Sequence, residues 1–187
     1  MRAVALALAG RGSGSSRPKK PYGGETNMTD PRWLKVAENL EGTKEIRGPA
    51  HNKVILGWLE KLHAWWRNDE TPWCGVFVAH CMQEAGLPYP KLYMRAKEWA
   101  TYGSLLRRDR LAPGAILVFD RAGGGHVGFY VGEDAGHYFV LGGNQGNAVN
   151  IAKLGKSRLI ASRWPKDEPV LGKYVFMKGG KVSTNEV

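Results

Sequence analysis

Pro113-Gly114-Ala115-Ile116-Leu117-Val118-Phe119-Asp120 is where this chain changes character. Upstream, apolar residues recur at helical spacing. Asp30-Pro31 reads as a helix start, a capping side chain followed by proline in the first turn. Trp33, Leu34, Ala37 and Leu40 then share one face until Gly42. A second helix is predicted over 52–66, with Ile55, Leu59, Leu62 and Trp66 in register, and a third over 73–85, stopped by Gly86. Residues 93–102 read as a short fourth. Downstream, short runs rich in β-branched and aromatic residues are separated by Gly, Asp and Asn. Strands are predicted at 115–120, 126–131, 138–141 and 148–151, and a less regular one at 158–163. Helices followed by a run of strands imply an α+β domain with a mostly antiparallel sheet.

The chain of 187 residues is 43% hydrophobic and 24% charged, enough for an ordinary core. Its apolar runs, such as 3–9 and 115–119, fall short of the roughly 20 residues that a membrane-spanning helix needs. The net charge of +10 favours anionic surroundings without choosing among nucleic acid, a membrane face and a cell wall. Residues 1–30 read as a flexible basic tail. The apolar run 3–9, preceded by a single Arg, is too short for a convincing signal peptide, and Met28 is an alternative start. Residues 31–165 read as the folded domain and 166–187 as a C-terminal extension.

Cys74 stands where the polar loop 67–72 meets an apolar helix. A helix N-terminus offers partial positive charge and unpaired N–H groups, which favour thiolate and can hold an oxyanion. Cys81, seven residues on and inside the helix, fits a buried apolar role. At about 1.5 Å of rise per residue the two sulfurs are too far apart to bridge. A nucleophilic cysteine needs a base. Of five histidines, His126 stands out, preceded by Gly123-Gly124-Gly125 and opening an apolar strand. Small residues there leave room for a ligand. His63 and His80 fall in helices, His51 and His137 in loops. The base needs an orienting group, and Leu141-Gly142-Gly143-Asn144-Gln145 offers Asn144 on a neighbouring strand. Each feature alone is equally well explained by packing or by a turn.

Taken together, the four segments 69–74, 114–119, 125–131 and 141–145 resemble the CHAP-type cysteine peptidoglycan hydrolases, in particular a phage-lysin-like branch. The resemblance covers about residues 31–165 and implies a papain-like fold. It implies nucleophile Cys74, base His126 and orienting residue Asn144, with Trp73, Gln145 and Asp69 in oxyanion or supporting positions. Many relatives carry an acid near the position of Gly142. Its absence leaves the third role to Asn144 or Gln145, of which Asn144 is preferred. Gly75 stands where alanine or serine is expected. The implied substrate is an amide bond of bacterial peptidoglycan, cut by an amidase or an endopeptidase.

No metal or other cofactor is expected, because the Cys, His and acidic residues lack ligand-like spacing. No basic helix or aromatic motif points to specific nucleic-acid binding. The expected protein is a monomer attracted to an anionic envelope, active from the host cytoplasm outward. Two other biologies remain open: an antibacterial amidase effector, and a non-catalytic wall-binding or virion module.

Overall fold

The computed structural model describes residues 30–177. The tail reading of residues 1–30 and the end of the C-terminal extension lie outside the described residues, apart from Asp30 and residues 166–177. Three α-helices come first: α1 (Arg32–Asn39), α2 (Lys53–Lys61) and α3 (Cys74–Glu84). Six strands follow: β1 (Ser104–Leu105), β2 (Ile116–Arg121), β3 (Gly124–Glu133), β4 (His137–Gly142), β5 (Asn150–Gly155) and β6 (Leu159–Trp164). All named strand pairs are antiparallel, in the order β1-β6-β2-β3-β4-β5. The fold is α+β, compatible with the papain-like arrangement of CHAP domains.

The helix starts differ in detail from expectation. α1 begins at Arg32 with Pro31 at its N-cap, and no side chain caps it. The Pro31 carbonyl instead accepts from Leu34 and Lys35 N–H. α2 is capped as a helix should be, Asn52 accepting from Val54 N–H at 2.8 Å. It ends at Lys61, five residues before the predicted stop, because His63 turns left-handed at φ 55°. Residues 96–101 form a 3₁₀ helix in place of the fourth helix.

β2 is fully buried from Ile116 to Phe119, which explains its continuous apolar run. α3 lies against β3, its Phe77 ring 6.1 Å from Phe129. Trp33 donates to the Gly114 carbonyl at 2.9 Å and stacks edge-on to Trp164, fastening α1 to the sheet. Ladder irregularities at Val118/Phe119 and Tyr130/Gly132 bend the sheet. The described part of the C-terminal extension is tied to β3. Glu133 N–H donates to Val175 O, and Met177 N–H donates to Glu133 O, each at 2.8 Å.

Candidate active site

The site lies where the N-terminus of α3 meets β3 and the turn after β4. Cys74 is the first residue of α3 and is 5% exposed. The Val127 N–H donates to its sulfur, which places the thiol beside the residue following His126. Burial pushes the Cys74 thiol up from its ordinary pKa, although N–H groups of Val127 and Gly75 and the nearby Arg121 charge pull the other way.

His126 is fully buried on β3, paired across the ladder with Phe119. Of the glycines before it, Gly125 leaves no room for a ligand, whereas Gly123 meets nothing within 4 Å. A Cβ on Gly125 would press on Lys97 Cγ, Phe119 O and Ala96 Cβ, so the glycine admits the 3₁₀ helix. Gly123, at φ 77°, makes the hairpin turn.

The third position is corrected by the structure. Gln145, not Asn144, meets the imidazole: His126 Nε2 and Gln145 Oε1 are 3.0 Å apart. Asn144 takes a left-handed conformation, φ 60°, which a short amide side chain tolerates. The Asn144 side chain makes no hydrogen bond among the described residues. The Gln145 amide nitrogen donates to Val140 O, Asn150 O and Asn150 Oδ1 at 3.2, 2.6 and 3.0 Å. Its oxygen is thereby turned toward His126. An amide oxygen only accepts, so Nε2 donates and Nδ1 carries the imidazole lone pair.

Trp73 is fully buried and packs 5.9 Å from Trp58, in a supporting position. A Cβ on Gly143 would collide with the Trp73 ring and Phe77, so the bare backbone of the turn rests directly on them. Trp99 and Tyr102 are likewise core residues. Asp69, expected in an oxyanion or supporting position, turns to the preceding loop. Its carboxylate accepts from Ile46 N–H, Asn52 N–H and His51 Nδ1 at 2.8, 2.7 and 2.9 Å. That loop is bonded in turn to the segment after Gln145, through Glu45 N–H to Asn147 O and Val149 N–H to Thr43 O. Asp69 thus braces the approach to Cys74 without touching it. Among the described residues, no cluster of three or more His, Cys, Asp or Glu is placed to hold a metal ion.

The sequence reading missed Asn150, which had looked like an ordinary strand residue. Nothing short of the geometry of the Gln145 turn signals it.

Cys74 thus lies beside Val127, the neighbour of His126, and the His126 ring meets the Gln145 amide. The CHAP domain family model matches residues 66–144, under half of the chain but spanning Cys74 and His126. Over those residues the chain is similar to the CHAP domain. No curated protein matches the chain.

Proposed function

We propose that the chain hydrolyses an amide bond of bacterial peptidoglycan, with Cys74 as nucleophile, His126 as base and Gln145 as the residue that orients the base. The observation that carries this reading is the 3.0 Å contact between Gln145 Oε1 and His126 Nε2, beside a cysteine at a helix N-terminus. Cys74 Sγ attacks the carbonyl carbon while His126 Nδ1 takes the thiol proton. The first-turn N–H groups of α3 face the developing oxyanion, and such a donor is worth about 3 kcal/mol in the transition state. The tetrahedral intermediate collapses to a thioester, and His126 returns the proton to the leaving amine. Water, deprotonated by His126, then cleaves the thioester and restores the thiol.

The biological setting proposed is that of a phage endolysin or virion-associated lysin that reaches the wall from the host cytoplasm. The net charge of +10 supports attraction to an anionic envelope. The protein acts as a monomer in this reading, with no cofactor.

The test is digestion of purified peptidoglycan by the wild type and Cys74→Ala, with products read by mass spectrometry. New amine and carboxyl ends from the wild type alone are expected, and their masses choose between amidase and endopeptidase. Equal products from both proteins would remove Cys74 from the mechanism. Wall binding without products from either would make the chain a binding module.

A further inference from the structure

Asn150 and Gln145 hold each other at three points. Asn150 Oδ1 and its own carbonyl both accept from Gln145 Nε2, and Asn150 Nδ2 donates to the Gln145 carbonyl at 2.8 Å. The Gln145 N–H closes the turn on Ala148 O at 3.0 Å. Val140 O is a third acceptor on the same amide nitrogen. Two amide hydrogens therefore face three acceptors, and no donor faces that end of the side chain. A flipped amide would point its oxygen at three oxygens and its nitrogen at His126.

We propose that Asn150 is the positioning residue of this site. It locks the Gln145 amide with its oxygen toward His126, and so selects the imidazole tautomer protonated on Nε2 and basic at Nδ1. This rests on reading Cys74 and His126 as nucleophile and base. It goes further in stating that the third group is a neutral amide by construction. A carboxylate at position 145 would meet Val140 O, Asn150 O and Asn150 Oδ1 with no donor among them.

The test combines a spectroscopic and a kinetic reading. Long-range ¹H–¹⁵N correlation spectra of the His126 ring report which nitrogen is protonated, independently of any substrate. The wild type is expected to show Nε2–H, and Asn150→Ala a mixture of tautomers. Asn150→Asp keeps the acceptor for Gln145 Nε2 but loses the donor to Gln145 O, and is expected to fall between the two. Turnover of solubilised peptidoglycan fragments should fall about tenfold in Asn150→Ala with KM unchanged, near the worth of one net hydrogen bond. In a Gln145→Ala background the same substitution should cost nothing more, because Asn150 acts only through Gln145. If the alanine variant does not fold, Asn150→Thr suits the strand and still lacks an atom at Oδ1.

A wild-type ring protonated on Nδ1, a tautomer indifferent to Asn150, or equal losses in both backgrounds would each overturn the proposal. A tautomer that Asn150 controls in a protein that cuts no peptidoglycan would leave the positioning intact and remove the hydrolase reading instead.

Discussion

A Cβ on Gly142 would stand 2.8 Å from Gln145 Oε1 and 3.2 Å from His126 Nε2, so the Gln145 amide fills the place toward which a side chain at 142 would point. The sequence lacks an acid at Gly142, and the structure brings an amide oxygen to that place from three residues further along.

Gly142→Ala is accordingly expected to harm catalysis more than folding. The new methyl meets the end of a side chain, which can give way, but giving way breaks the contact with His126. Turnover should fall about tenfold while stability changes by less than about 1.5 kcal/mol. Denaturant midpoints and fragment turnover, measured on the same preparation, separate the two. The double variant Gly142→Asp/Gln145→Ala puts a carboxylate in the vacated space and should recover part of the activity lost in Gln145→Ala. No recovery would mean that position 142 does not point at the imidazole.

Gly75 predicts the opposite balance. A Cβ there would collide with the Tyr93 carbonyl oxygen and press on the Met94 carbonyl. These are backbone atoms, and Tyr93 is fixed at both ends. Its hydroxyl donates to Leu62 O at 3.0 Å, and its carbonyl accepts from Trp99 Nε1 at 2.9 Å. Neither side can yield, so Gly75→Ala should destabilise the fold by about 1–3 kcal/mol. It should also lower turnover, since the displaced turn carries Cys74. Thermal unfolding of the variant checks the first effect. An unchanged midpoint would show that the 93–94 segment is free to move.

His80 sets one limb of the acid stability. It is buried in α3, stacked 5.2 Å from Trp58, and its pKa is lowered to about 4 by burial, with Glu84 opposing and Lys61 assisting. An unfolded histidine titrates near 6.5. The unfolded chain therefore binds the proton first, and stability is full above pH 6.5 and lost as pH falls toward 4. The loss is on the order of 2 kcal/mol, after discounting the shift for partial screening. Denaturation midpoints across that window should slope for the wild type and lie flat for His80→Phe. Equal slopes would place the titrating group elsewhere.

The elements that local signals govern were legible before the structure. α3 could be read from the polar-to-apolar switch at Cys74 and the stop at Gly86, and β2 and β3 from their apolar runs. Pairings across sequence distance could not. β1 is two exposed residues that exist as a strand only because Ser104 and Leu105 meet Trp164 and Arg163. The early end of α2 depends on one left-handed residue, His63, that propensity does not flag. The choice between Asn144 and Gln145 turned on the sign of φ at position 144. Either amide fits the pattern of residues, and only the backbone decides which reaches His126.

Asp69 governs a second, more acidic limb. Burial alone would raise its pKa, but donation from Ile46, Asn52 and His51 outweighs burial and holds the carboxyl below its ordinary value of 3.8. A group so depressed stabilises the fold above its unfolded pKa, and the contribution is lost as pH falls from about 3.8 through the folded value. This window lies below that of His80, so the two limbs are separable in one titration of stability. Asp69→Asn keeps an acceptor without the charge and should remove the lower limb while leaving the upper one. Asp69→Ala strands the Ile46 and Asn52 N–H groups and should cost about 2–4 kcal/mol at neutral pH. It also frees the loop that is bonded to the segment after Gln145, so its turnover should drop even where the protein stays folded. Normal turnover in folded Asp69→Ala would show that this brace plays no part in holding the site.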